Sequence, residues 1–452
     1  MLRRMYVEIN KVKVGSDKKI WFVLAIFVGI IICRDIVELP ISFGMISIFT
    51  VFCAVILNNQ EKVLYVCACL PFCRGIPYSE ILLIMLGFSI LNGTKTFKIK
   101  PIFYLPVIGI AIIEILDFLH FNYFSNEIIY LLAYMLYATY VLEQKIYKDI
   151  EEKIAFFYSV STIVSVIIVV MREIKLLGLD YIFTYNVRFG ANTDGVMVTN
   201  YNSNELGLYC AISASLMLLL YYIKGKTWHM FLAGVTTVIG FMCVSRAYLL
   251  VIVLVWFFYF IYSKKNFKSM VTIIFIALLA FFVIIQIFPE ISDWLFGYYS
   301  ERMDGENFEQ MGGRVSIISK YLKHTFASVW SLLFGYSGDY SLVLQSGHAA
   351  HNGLQEVLVS WGVVGFIIVI CWVLLLLKSS DVQIQKGNFA RFTPVIVFFV
   401  YIQSLQWFSM HNYLILMMIS IVGISIVPKK EETLVKKQNY SWIKNNCNVV
   451  QK

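Results

Sequence analysis

Long apolar runs separated by short polar clusters set the pattern of this chain from residue 20 to residue 427. A helix that crosses a bilayer needs roughly 20 apolar residues, fewer where flanking groups snorkel or the bilayer thins. On that basis the runs predict spans near 20–33, 37–57, 62–73, 77–92, 102–119, 127–142 and 154–172. Further spans follow near 203–222, 228–244, 246–262, 269–288, 353–377, 392–409 and 411–427. The expected fold is all-α, a polytopic integral membrane protein with about 14 transmembrane helices (12–14). The run 62–73 is short enough to be a half-helix. The run 228–262 is too long for one span and barely long enough for two, so a turn is expected near Ser245–Arg246.

Between the spans lies one long hydrophilic stretch, 289–352. Its first part, "DGENFEQMGG" (304–313), is acidic and glycine-rich and reads as flexible. In "GRVSIISKYLKHTFASVWSLLF" (313–334), Ile318, Leu322, Phe326, Val329 and Leu333 recur at helical spacing, with Lys320, Lys323 and His324 away from them. This predicts a helix lying on the membrane interface. The organisation is then a tail 1–19, transmembrane helices 1–11 over 20–288, a large extracytoplasmic loop 289–352, transmembrane helices 12–14 over 353–427 and a tail 428–452.

Composition strengthens the membrane reading. The chain is 59% hydrophobic and 14% charged, whereas a soluble domain carries about a quarter charged residues. The net charge of +9 does not point to nucleic acid, because the basic residues fall in short clusters between apolar runs. Cys53, Cys67, Cys69, Cys210, Cys243 and Cys371 lie inside apolar segments, so no disulfide framework or metal-ligand spacing is read. The basic start, Arg3 to Lys19, followed by Ile20 to Cys33 reads as an uncleaved first span.

Charge also assigns sides. With a cytoplasmic N-terminus, alternating spans put 27 of the 37 Lys and Arg inside, including "KTFKIK" (95–100), "EQKIYKDIEEK" (143–153) and "SKKNFK" (263–268). That predicts both termini inside and the 289–352 loop outside. The outer basic residues are mostly arginine: Arg34, Arg74, Arg172, Arg188, Arg246, Arg302 and Arg314. A lysine suffices as a topological charge, while a guanidinium offers a planar fork that matches phosphate oxygens. The simpler reading is chance plus local pairing, as in Arg34–Asp35 and Arg172–Glu173.

Three residues stand out. Arg246 is the only charge in the run 234–262 and sits at its expected turn; arginine at membrane depth costs at least about 2.5 kcal/mol, which marks it as functional unless it simply snorkels. Arg314 opens the expected interfacial helix, where unpaired amides and the helix dipole favour an anion; otherwise it pairs with Glu306 or Glu309. His351 lies at the mouth of span 353–377, where a neutral imidazole beside arginines suits proton abstraction from a sugar hydroxyl. A lone histidine at a helix start is nonetheless more often a cap or a packed side chain. Asn352 is a candidate helix cap as much as a site residue. Gly362 and Gly365 most simply permit close helix packing. In-span charges such as Glu114 and Asp117 cluster toward the outer ends.

Four stretches in order, "NYNSNELGLYCAIS" (200–213), "SRAYLL" (245–250), "GGR" (312–314) and "HNGLQEVLVSWGVVGF" (351–366), make the chain resemble the O-antigen polymerase and O-antigen ligase group of bacterial membrane glycosyltransferases. The likeness covers about 200–366; the N-terminal half matches only in hydropathy. It implies a type C glycosyltransferase-like enzyme at the outer face of the bacterial plasma (inner) membrane. Its donor and acceptor would be undecaprenyl-diphosphate-linked oligosaccharides, and a chain-length regulator and a flippase would be its pathway partners. By the same likeness, Arg246 and Arg314 would hold the donor diphosphate and His351 would activate the acceptor hydroxyl. No metal or other cofactor is implied, because arginines neutralise the leaving group. Arg188, Arg74, His348, Asn352 and Glu356 are further candidates, for acceptor diphosphate, glycan contact or orientation of His351.

Polymerase and ligase share this chemistry and differ in acceptor, another lipid-linked repeat unit or a lipid A core. The high span count favours polymerase. A flippase or other transporter is the rival from another class. Transporters usually show internal repeats and midplane charges, and neither is evident here.

Overall fold

A computed structural model of the chain describes residues 2–93, 100–123, 125–184, 189, 203–243, 245–262, 293, 297, 314–338, 352–380, 389–405 and 407–426. Of residues 2–17, 93, 183, 184, 314, 315 and 389 only the backbone is described. The fold is all-α, with no strand among the described residues. The helices are α1 (Leu2–Asp35), α2 (Phe43–Ile56), α3 (Asn59–Cys69), α4 (Tyr78–Gly93), α5 (Leu105–Phe121), α6 (Glu127–Glu143), α7 (Glu151–Leu177) and α8 (Leu179–Thr184). They continue as α9 (Ser203–Lys224), α10 (Thr227–Phe241), α11 (Arg246–Tyr262), α12 (Arg314–Thr325), α13 (Val329–Leu333), α14 (Gly353–Ser379), α15 (Thr393–Tyr401) and α16 (Asn412–Ile424). Among the described residues, α7, α9 and α14 are long and apolar enough to cross a membrane.

Outward faces carry apolar seams at helical spacing. Ile108, Ile112, Ile115 and Leu119 are exposed on α5, Leu250, Val253, Phe257 and Ile261 on α11, and Ile367 and Leu374 on α14. A soluble protein rarely exposes such contiguous apolar surface. By contrast α9 and α16 are wrapped on all sides: every residue of α16 is buried, and so is nearly all of α9. These two helices form the axis of the bundle.

The loops meet at two ends. At one, Lys19 pairs with Glu61 at 3.0 Å, Gln60 Nε2 donates to the Lys148 carbonyl at 2.9 Å, Lys224 pairs with Glu152 at 2.6 Å, and Tyr147 reaches the Ser379 carbonyl. At the other, Arg34 donates to the Gly75 carbonyl, Arg172 lies 3.9 Å from Asp35, Lys175 pairs with Glu38 at 3.0 Å, and Arg74 pairs with Glu205 at 2.7 Å. We call these the lysine end and the arginine end.

Several elements differ from the hydropathy pattern. The expected tail 1–19 is helical from Leu2 and continuous with the first apolar run. The 62–73 run is covered by the eleven-residue α3, started by a reciprocal Asn58–Glu61 capping box, and by a 3-10 turn over Leu70–Gly75, as a half-helix would be. The turn between α10 and α11 falls where the long run predicts it. The expected span 353–377 is broken inside α14: Gly362 sits at φ +59°, a left-handed conformation that glycine adopts without the Cβ clash. The described part of the expected span 392–409 holds only nine residues of α-helix, followed by a 3-10 turn at Ile402–Ser404 and irregular backbone at 405 and 407–411. At 1.5 Å per residue, α15 covers roughly 14 Å, about half of a hydrocarbon core. The expected interfacial helix 313–334 is two helices, because Ser328 and Ser331 form a second capping box that starts α13 anew. Of its expected apolar face Leu322, Phe326, Val329 and Leu333 are exposed and Ile318 is half-buried, while Tyr321, Thr325 and Ser331 face inward. The expected span 269–288 and most of the 289–352 loop lie outside the described residues.

Candidate functional site

The arginine end is organised around the irregular segment between α15 and α16. Non-helical backbone is tolerated at membrane depth only where protein or a water-filled cavity surrounds it, and here Tyr401, Ile402, Trp407 and Phe408 are fully buried. Along this segment Tyr401 OH lies 3.2 Å from Ser245 Oγ, and the Gln403 carbonyl accepts from Asn352 Nδ2 at 3.3 Å. The amides of Trp407, Phe408 and Ser409 all donate to the Glu356 carboxylate, the last at 2.7 Å. Arg74 Nη2 donates to Met410 Sδ at 2.7 Å, and Asn412 Nδ2 donates to Glu205 Oε1 at 2.7 Å. One segment thus ties together the starts of α9, α11 and α14.

Glu205, fully buried, is the most heavily bonded carboxylate of the group. Besides Asn412, it accepts from Tyr209 OH at 2.7 Å and from Arg74 Nε at 2.7 Å, with Cys73 Sγ at 3.7 Å. A buried carboxylate is tolerated when it is paired and its lone pairs are filled, and both conditions hold. The Glu205 carboxylate in turn raises Arg74 above the usual arginine range. Arg74 keeps a side chain 30% exposed while its Nε is committed to Glu205.

Arg246 opens α11 and is half-buried, next to Ser245, whose Oγ accepts from the Tyr248 amide at 3.4 Å. Gly207 on α9 gives α11 and α15 room: a Cβ there would lie 2.5 Å from Tyr401 OH and 3.3 Å from Tyr248 Cβ. Arg314 is the first residue of α12, so its helix-start position is as expected, and its side chain lies outside the description. His351, His348 and Arg188 lie outside the described residues. Asn352 is the N-cap of α14, its Oδ1 accepting from the Gln355 amide at 3.0 Å. That is the capping alternative of the sequence reading. The partners of Glu356 are the three backbone amides, which makes it an anchor for the 407–409 turn. The Arg34–Asp35 pairing is present at 2.6 Å, and Arg172 also lies 3.9 Å from Asp35.

The α12–α13 arm docks on α14 beside this segment. Gln355 Nε2 donates to the Ile318 carbonyl at 2.8 Å, and the Tyr336 amide donates to the Val359 and Ser360 carbonyls at 3.0 and 3.1 Å. Those carbonyls precede the break at Gly362, so the arm supplies donors the broken helix lacks. The two backbones touch: a Cβ at Gly362 would overlap the Leu333 carbonyl, and one at Gly335 the Ser360 carbonyl. Gly362 therefore does allow close packing, of the arm's backbone and not of a neighbouring long helix. Burial, and then the Glu356 carboxylate, raise the Tyr321 phenol to about 12, so it stays a neutral hydroxyl near pH 7.

No known protein family and no curated protein matches this chain. Among the described residues no group of three or more His, Cys, Asp or Glu side chains is placed to hold a metal ion.

The sequence reading missed Glu205, Tyr209, Asn412 and the whole 401–412 turn. Glu205 did carry a signal, an acid four residues before a tyrosine in the first turn of an otherwise apolar helix. Asn412 carried none, because its partners lie about two hundred residues away in the chain.

Proposed function

We propose that the chain is a polymerase of lipid-linked oligosaccharide repeat units (O-antigen, capsule or exopolysaccharide) in the bacterial plasma membrane. It would have about 14 spans, cytoplasmic termini and the arginine end facing outward. The observation that carries this reading is the gathering of three of the four resemblance-bearing segments on the 401–412 turn, with the arm that opens at Arg314 docked beside it. The starts of α9, α11, α14 and α16 all lie there, and helix N-termini favour anions.

In this reading Arg246 and Arg314 hold the donor diphosphate, and His351 takes the proton of the acceptor hydroxyl. The hydroxyl attacks the anomeric carbon, its configuration inverts, and polyprenyl diphosphate leaves with its charge neutralised by the guanidiniums. The exposed apolar seams and the apolar face of α12–α13 would lie in lipid, bringing the site to the level of the diphosphate headgroup.

The test is the purified protein in proteoliposomes supplied with one undecaprenyl-diphosphate-linked repeat unit and no lipid A core. A ladder of longer glycans is expected. Product only after addition of lipid A core would make the protein a ligase, and no product with either acceptor would overturn the transferase reading.

A further inference from the structure

Two of the buried carboxylates that the mechanism above does not use, Glu114 and Asp117, lie one turn apart in the C-terminal half of α5 and are 3% and 1% exposed. Their bonds run to other elements. Glu114 Oε1 accepts from Trp361 Nε1 at 2.5 Å and from the Gly338 amide at 2.7 Å, and Oε2 accepts from Ser337 Oγ at 2.8 Å. Asp117 Oδ1 accepts from Trp330 Nε1 at 3.1 Å, and the His120 ring stacks on Trp330 at 4.2 Å. Trp330, Ser337 and Gly338 belong to the α12–α13 arm and its exit, whereas Trp361 immediately precedes the break in α14. Glu114 thus grips both partners of the arm–α14 junction at once, from a third helix.

We infer that Glu114, with Asp117 one turn on, is a positioning residue: it fixes the α12–α13 arm against α14, and with it the separation between Arg314 and the helix start that follows His351. The inference rests on the transfer reaction proposed above. Burying a carboxylate is costly unless every lone pair in reach is used. A hydrophobic side chain on α5 would pack as well there and hold neither Trp361 nor the 337–338 backbone. Transfer requires the donor diphosphate and the base to be held at a fixed separation, and an ångström of misplacement is enough to slow such a reaction strongly.

The experiment uses the full chain in proteoliposomes, with spin labels introduced as non-canonical amino acids at Lys323 on the arm and Asn126 at the start of α6. Both positions are exposed. Glu114→Gln keeps the oxygen that accepts from Trp361 and Gly338, so a narrow label distance and a polymerisation rate close to wild type are expected. Glu114→Leu leaves Trp361, Gly338 and Ser337 buried without this acceptor. Its distance distribution should broaden and its rate fall about a hundredfold at unchanged membrane insertion. A narrow distribution in Glu114→Leu, or a wild-type rate despite a broadened one, overturns the inference. Should wild-type protein make no polymer, the proposed function fails, while the label distances still decide whether Glu114 anchors the arm.

Discussion

The two ends of the bundle handle charge differently. At the lysine end each ion pair keeps one partner at the surface: Glu152, partner of Lys224, is 49% exposed, and Lys19, partner of the buried Glu61, is 40% exposed, much as the Lys175–Glu38 pair is exposed at the other end. At the arginine end Glu205, Glu356, Asp117 and Glu114 are each no more than 3% exposed, and each holds elements far apart in the chain. Exposed pairs contribute roughly 0–1 kcal/mol and tolerate loss. Buried, hydrogen-bonded carboxylates are costly to form and more costly to break, and they fix geometry. An arginine end built this way suits chemistry that depends on where atoms are held.

Four substitutions sharpen or break that contrast. The largest expected effect is His351→Ala, which should lower the polymerisation rate by about 10⁴-fold with normal protein level and insertion. Long-chain product at the wild-type rate would remove His351 from the site. Glu205→Ala should cost about 3 kcal/mol, at the low end for a broken buried pair because Arg74 stays partly exposed and can hydrate. Thermal unfolding in detergent reads this, and an unchanged Tm would mean that Glu205 does not brace the α9–α16 axis. Arg246→Lys keeps the charge and loses the fork, so the rate should fall about a hundredfold. Near-normal activity would reduce Arg246 to a snorkelling residue. Glu152→Ala, at the lysine end, should change stability by about 0–1 kcal/mol and leave the rate alone. A loss as large as that of Glu205→Ala would erase the distinction between the ends.

Hydropathy made much of the helical frame legible, including the half-helix at 59–69 and the turn before Arg246, because both depend on how many apolar residues a run contains. It read through three breaks. Trp407 and Phe408 are as apolar as any span residue, so the buried turn that carries them looked like membrane helix. Phe326 and Val329 keep helical spacing across the Ser328 cap, which hid the split in the arm. A glycine in an apolar helix is compatible with both packing and kinking, and only the approach of Leu333 shows that Gly362 does both. Of the candidate site, the helix-start placement of Arg246 was legible as a lone charge in a long apolar run, and that of Arg314 from the helical spacing that begins there. The carboxylates that hold these elements were not, since Glu114 meets Ser337 and Glu205 meets Asn412 only through the tertiary fold.

The central claim is that glycan transfer takes place at the arginine end. The most direct test is a polyprenyl-diphosphate glycan carrying a photoreactive group beside the phosphates, crosslinked to the protein in proteoliposomes and mapped by mass spectrometry. Crosslinks on peptides holding Arg246, Arg314 or the 401–412 turn, competed by unmodified lipid-linked substrate, are the predicted result. Competed crosslinks confined to the lysine end, on peptides around Lys19, Lys148 or Lys224, would contradict it.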